Sequence, residues 1–322
     1  METAPIYSRE GQIKKRSDYF MNKAVKSRKN SRIKGIQMFL MLLPMLVLFF
    51  LFCAYPLFDS IYLSFTKYNG FTEPVFNGLA NYKRLFSDSS WWRAVLNTFE
   101  LTVMAYVIQI PLSLLLAILV NSKIKGQNFF RTIIFLPNVT STAIIGIIFF
   151  FMFSSYNGIV NGMLQGAGLI NRPVEWLGNV TSAKLIIILL NTWSQVGYLM
   201  ILFLAAIQKI PTELYESATL DGASKWQQFK CVTLPMLGQM FQVISMMCIL
   251  NGFQLFDSVK VLTGGGPGNQ TSVMALYIYN YFFNSTGAQQ GYASAVSVCA
   301  TFITAAVGAL YFLVTSKKFK EN

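Results

Sequence analysis

Six stretches of this sequence are so apolar and so long that they limit the possible folds more than any other feature. They lie at approximately 36–58, 95–120, 133–153, 184–208, 236–256 and 293–315. A bilayer's hydrocarbon core takes roughly 20 helical residues to cross, and each run is near that length. Lipid offers no hydrogen-bond partners, so the backbone of a crossing segment must bond to itself. The predicted fold is therefore all-α, a polytopic membrane protein with about six transmembrane helices. Composition agrees, with 54% hydrophobic and 12% charged residues, where soluble domains carry about a quarter charged. Pro44 and Pro111 fall inside runs, where a kink is tolerated if neighbours satisfy the freed carbonyl.

Orientation follows from the 26 Lys and Arg. With the N-terminus in the cytoplasm, all of them except Lys67, Lys83, Arg84, Arg93, Arg172, Lys184 and Lys260 fall inside, and this bias favours that orientation. Residues 1–35 form a basic cytoplasmic arm, with Lys14, Lys15, Arg16 and Lys23 among its charges, held on the anionic inner leaflet. The run after it is too long for the core of a cleaved signal peptide and has no small-residue cleavage site, so it reads as a retained first span. Six spans return the chain to the cytoplasm, where a short tail at 317–322 ends it. The domain between arm and tail is 36–316. The net charge of +13 is explained by this topology rather than by nucleic acid, because the basic residues flank spans instead of sharing one folded face.

Several chemistries are excluded. The chain has no histidine, so neither His-based catalysis nor His metal ligation is available. Cys53, Cys231, Cys248 and Cys299 form no spaced pair, and neither a disulfide framework nor a zinc site is indicated. Leu262 to Gly268 reads LTGGGPG, but it lacks the GK[ST] ending of a phosphate loop and lies on the outer side. No Walker A pattern occurs, so the chain is not expected to hydrolyse ATP, and no cofactor or metal is expected in it. Glu100 and Asp257 lie near the outer ends of spans. An ion-coupled carrier keeps carboxylates near the midplane, so their placement argues against ion coupling.

The outer loops carry two further patterns. Residues 59–94 are rich in aromatics, including Tyr68, Phe71, Phe76, Tyr82, Trp91 and Trp92, which suit the membrane interface. Residues 154–183, with Gly158, Gly162, Gly166, Gly168 and then Trp176, read as a broken or re-entrant loop.

Inside the otherwise apolar C-terminal half lies one long polar stretch, 209–235. Thr212 can cap a short helix with Glu213 in its first turn. Leu214, Tyr215 and Ala218 give that helix a small apolar stripe. Gly222 allows a sharp turn, and Ala223–Phe229 can form a second helix. A loop of this kind between two spans is either a plain connector or a knob presented to another protein. Its wording points to the second. Glu216-Ser217-Ala218, Asp221-Gly222-Ala223, Phe229 and Leu234-Pro235 resemble the EAA signature of the membrane subunits of binding-protein-dependent ABC importers. The resemblance implies that this cytoplasmic loop is a coupling helix docking on an ATP-hydrolysing subunit. Ser217 departs from the usual Ala, a small-for-small change. The resemblance suggests that Glu216 fixes the loop by a charge-assisted bond and that Asp221–Gly222 sets its turn.

The likeness continues from about residue 36 onward. Asn128-Phe129-Phe130-Arg131 ahead of Phe135-Leu136-Pro137, Gly158 through Asn161, Trp193, the Thr263–Pro267 string and Gly291–Ala295 are similar to carbohydrate permeases. Together they resemble a MalF-type permease of the di- and oligosaccharide importers, in its shorter six-span form. That implies a heterodimer with a second homologous permease in the bacterial plasma membrane. Two ATPase subunits, carrying ATP and Mg, would bind below, and an extracytoplasmic sugar-binding protein would dock above. Sugars need amides or hydroxyls for their hydroxyl groups and flat surfaces for their CH faces. Asn191, Gln195 and Tyr198 lie at i, i+4 and i+7 on one helical face, and Asn251 and Gln254 at i and i+3. Amides at this depth need partners or a water-filled cavity, so bonding to a partner's helices is the alternative. The resemblance aligns these positions with substrate contacts, though Gln195 stands where glycine is usual for maltose. A permease for a non-sugar solute, or a secondary transporter, remains the competing reading.

Overall fold

The computed structural model describes residues 37–122, 126–283 and 289–318, with side chains as far as Thr315. The basic arm expected at 1–35, Lys123, Lys125 and residues 319–322 of the tail lie outside the described residues. The chain divides into two compact units, Met1–Asp59 and Ser60–Asn322. Five described helices are long and apolar enough to cross a membrane, or six if one sharply bent pair counts as a span.

The first unit contributes helix α1, Gln37–Ser64, which runs on into the second. Pro44 sits in unbroken helix. The irregularity falls instead at Phe50–Ala54, a π-helical turn just ahead of Pro56. Proline lacks the N–H that would close the preceding turn and crowds the carbonyl four residues back, which favours a wider turn there.

The second unit opens with a two-stranded hairpin, β1 (Thr66–Lys67) antiparallel to β2 (Val75–Phe76), with Thr66 opposite Phe76. Helix α2, Ala80–Ser87, follows. Asn81, buried at its start, donates to Ser64 O at 2.9 Å and Thr66 O at 2.8 Å and so fixes the hairpin to α2. Much of the aromatic stretch expected at the interface is exposed here, including Phe71, Phe76 and Trp92. Asp88 then caps α3, Ser89–Asn121, accepting from Ser90 N at 2.8 Å. Its other oxygen accepts from the Tyr277 hydroxyl at 2.5 Å and the Tyr292 hydroxyl at 3.4 Å, which joins three chain segments. Burial pushes the Asp88 carboxyl up, but hydrogen bonds from Tyr277, Ser90, Trp91 and Tyr292 outweigh it and hold the group below its ordinary value.

The run expected as one span at 133–153 is two helices. α4 (Gln127–Val139) and α5 (Thr142–Met152) meet at 94°. Thr140 and Ser141 are extended at the bend, and Asn138 ties it to the fourth run by donating to Ser194 O at 3.3 Å. Non-helical backbone at membrane depth is tolerated where it is covered by protein or lines a cavity.

In 154–183 a short helix α6, Ile159–Gly166, is held by one residue. Asn161, 3% exposed, donates to Ser154 O and Val174 O and accepts from Val174 N and Trp176 Nε1.

α7, Val180–Ile207, is the most enclosed span, with 56% of its most apolar window buried. It packs against α3 and α4, and α3 packs in turn on α10, Gly238–Phe253. Two apolar clusters fill these seams. One is built around Leu199, Met200, Phe203 and Ile244, the other around Leu101, Ile187, Leu190 and Val259. A third, with Trp91, Phe253, Tyr277 and Val296, joins α3 and α10 to α12 (Met274–Phe282) and α13 (Gln290–Lys318). Between them α11, Asp257–Leu262, packs on α5. The glycine string after it is a tight turn, closed by Thr271 Oγ1 donating to Gly266 O at 2.7 Å.

Candidate functional site

Two features bring predicted residues together. The first is the polar stretch between α7 and α10. Pro211, not Thr212, occupies the cap position, and α8 runs Thr212–Leu220. The helix ends in a Schellman arrangement, with Ala223 N bonded to Ala218 O at 2.9 Å and Gly222 N to Thr219 O at 3.0 Å. Gly222 supplies the left-handed residue this closure needs, at φ +78°. The second helix, expected at 223–229, is the shorter α9, Lys225–Gln228, which runs into a π-helical turn at Phe229–Thr233 and then a single turn, Leu234–Met236. It opens with a capping box between Ser224 and Gln227. That S-x-x-Q spacing stood in the sequence as a start signal.

The hairpin is held from within. Gln228, 6% exposed, donates to Thr219 Oγ1 at 2.9 Å and Ala223 O at 3.2 Å. At its neck the Tyr215 and Thr233 hydroxyls bond at 2.9 Å. Phe229 and the Tyr215 ring pack onto the apolar cluster around Leu199 and Phe203, and Trp226 lies against Phe229 at 5.4 Å. Outward it presents Leu220 at 88% exposure and Trp226 at 69%. Among the motif residues Ala218, Ala223 and Phe229 are half-buried, while Glu216, Ser217, Asp221, Gly222, Leu234 and Pro235 are exposed. Glu216 makes no hydrogen bond or ion pair with any described residue, so the internal charge-assisted bond expected of it is not formed within them.

The second feature is a membrane cavity of about 180 Å³ lined by Thr142, Asn191, Gln195, Asn251, Gln254, Leu255, Phe256, Asp257 and Ser258. Four of the five predicted amide and aromatic residues therefore share one wall. The fifth, Tyr198, is not among the lining residues, and its hydroxyl lies 3.9 Å from Met247 Sδ. Thr142 enters from the α4–α5 bend, and the break between α10 and α11 brings in Phe256 and Asp257. Glu100, by contrast, is paired with Lys184 at 2.6 Å.

One residue behind the wall was missed. Gln109 of α3 is 2% exposed and donates from Nε2 to Asn191 Oδ1 at 2.6 Å. Its own Oε1 accepts from the Cys248 thiol at 3.4 Å. The thiol is the donor of that contact. The order of donors is therefore fixed, and Asn191 is left with its Nδ2 hydrogens for the cavity.

The comparisons agree on one family. The family model described as "Binding-protein-dependent transport system inner membrane component" matches residues 109–318. The probable ABC transporter permease YurN of Bacillus subtilis is 38% identical over 287 residues, covering 88% of this chain and 96% of that one. The lactose transport system permease LacF of Rhizobium radiobacter is 35% identical over 290 residues, covering 89% and 96%. Among solved structures, a bacterial ABC transporter involved in import of the acidic polysaccharide alginate superposes with a TM-score of 0.77 at 26% identity, over 88% of this chain and 96% of that one. With that match over most of its length, this chain belongs to the binding-protein-dependent transport system inner membrane components and is a multi-pass permease of an ABC importer.

Proposed function

We propose that this permease imports a di- or oligosaccharide delivered by an extracytoplasmic binding protein, as one half of a heterodimer with a homologous permease. The observation that carries the reading is the wall of amides formed by Asn191, Gln195, Asn251 and Gln254 on one membrane cavity. Uncharged donors and acceptors suit sugar hydroxyls, and Phe256 adds an apolar surface. The names of the lactose, starch-product and multiple-sugar permeases among the relatives support it. The N-terminus faces the cytoplasm, and two ATPase subunits, which bind ATP and Mg, dock on the hairpin 212–229. Closing of the ATPase dimer draws the paired hairpins together and favours the outward-open spans. Hydrolysis restores the inward-open state. Such a shift needs only that the ATP-bound partner prefer one of the two states.

The reading is tested by uptake of labelled oligosaccharides in cells expressing the neighbouring transport genes. The double substitution Asn191→Ala with Asn251→Ala removes two polar contacts worth about 1 kcal/mol each. It is expected to raise the concentration for half-maximal uptake by roughly ten-fold or more. Uptake of a non-sugar solute that this variant impairs, with no sugar taken up, would replace the substrate class.

Gln109 acts as a positioning residue. Gln109→Leu keeps the volume but frees Asn191 to turn its carbonyl toward the cavity. The expected result is a half-saturating concentration about five-fold higher at unchanged maximal uptake, a loss of about 1 kcal/mol. A fall in maximal uptake with membrane levels alone would mean that the contact only stabilises the fold.

A further inference from the structure

Asp257 sets the cavity apart from a purely neutral sugar site. It is the first residue of α11, and it lies on the same wall as the four amides. No Lys or Arg lines that cavity. The ion pair formed among the described residues is Lys184 with Glu100, so Asp257 has no cationic partner there. Lys260, one turn further along α11, is directed elsewhere, with Nζ 4.6 Å from the centre of the Tyr279 ring. The four amides beside it cannot neutralise a second negative charge, since each offers at most a dipole. Any occupant therefore meets one carboxylate that nothing in the cavity compensates.

We infer that Asp257 filters substrate by charge, so that the cavity accepts uncharged or amine-bearing oligosaccharides and rejects those carrying uronic acids. The inference rests on the sugar reading above and deepens it. A carboxylate accepts two hydroxyl hydrogens in charge-assisted bonds, about twice as strong as neutral ones, so an uncharged sugar gains by its presence. A uronate brings a second carboxylate beside Asp257, and the two like charges repel. An ammonium group gains for the same reason. The fold does not impose this preference, because a transporter of similar fold imports an acidic polysaccharide. The sign of the charge on this wall belongs to the side chains.

The test uses the purified whole importer in lipid nanodiscs, titrated calorimetrically without binding protein so that only the membrane cavity discriminates. The probes are maltotriose and cellotriose, the same sugars with their primary alcohols oxidised to carboxylates, and the glucosamine trimer. Wild type is expected to bind a neutral trisaccharide at least about ten-fold more tightly than its oxidised form, with the glucosamine trimer equal or tighter. Asp257→Asn is expected to lower neutral affinity a few-fold and bring the two forms within about three-fold of each other. Asp257→Glu keeps the charge and is expected to keep the discrimination. A wild type that binds neutral and oxidised sugars alike overturns the filter and leaves the sugar reading standing. So does an Asp257→Asn variant whose preference is unchanged. If no trisaccharide binds to wild type, the sugar reading itself fails and the filter with it. Should Asp257→Asn not assemble, the wild-type ratio and the Glu variant decide.

Discussion

Gly222→Asp is expected to reduce uptake by roughly 100-fold while leaving the permease folded in the membrane. Gly222 sits at φ +78°, and nothing lies within 4 Å of the Cβ a side chain would add. The strain of an ordinary residue in that conformation is about 1–2 kcal/mol, and aspartate is among the residues that tolerate it best. The Schellman bonds involve backbone atoms and survive. What changes is the surface. A third carboxylate appears beside Glu216 and Asp221, both exposed, on the face proposed to meet the ATPase. Like charges forced together at an interface cost several kcal/mol, enough for a loss of this size at about 1.4 kcal/mol per factor of ten. Uptake, immunodetection in membranes and thermal unfolding of the purified complex measure the three parts. Normal uptake in the variant would make the hairpin a connector only.

Gly197→Ala tests the opposite kind of glycine. A Cβ there would sit 2.2 Å from Ile134 O and 2.9 Å from both Ile134 C and Phe135 Cα. All three are backbone atoms of α4, so no side-chain rotation relieves the clash and α4 must move away from α7. Overpacking of this kind costs about 1–3 kcal/mol or more. It also pulls on the nearby Asn138–Ser194 bond that anchors the bend. The unfolding midpoint in detergent is expected to fall by about 5–10 °C. Gly162→Ala, where nothing lies within 4 Å, serves as the control and should leave the midpoint unchanged. Equal midpoints for all three proteins would mean that the two helices adjust without cost.

What the sequence revealed depended on how local the physics was. The spans declare themselves because each must be apolar over its own length. Helical spacing likewise puts Asn191 with Gln195, and Asn251 with Gln254, without any knowledge of neighbours. Spacing could not separate Tyr198 from its face-mates. One more turn takes it into the seam with α10, where Met247 rather than the cavity receives its hydroxyl. Gln109 was invisible because its partner lies 82 residues away, and a lone amide in an apolar run carries no mark of what it will bond. The 94° bend escaped because Val139 and Thr142–Met152 keep the run apolar on both sides of a two-residue interruption, Thr140 and Ser141. Asp257 was legible as a carboxylate near a span's outer end. Its place on the cavity wall depends on the break at Gln254–Phe256, which hydropathy does not register. Glu216 shows the limit from the other direction, since its side chain is free within the described chain and a single subunit cannot display what it meets.

The bonds that tie the 212–229 hairpin at its neck and fill its inside give it little mechanical compliance. A loose loop pushed at Leu220 or Trp226 would bend first and pass on only part of the displacement. With Tyr215 linked to Thr233 and Gln228 bridging α8 to α9, a push at the tip reaches the base of α10 almost undiminished. In the proposed mechanism the stroke of the ATPase is then spent on tilting spans rather than on deforming the lever.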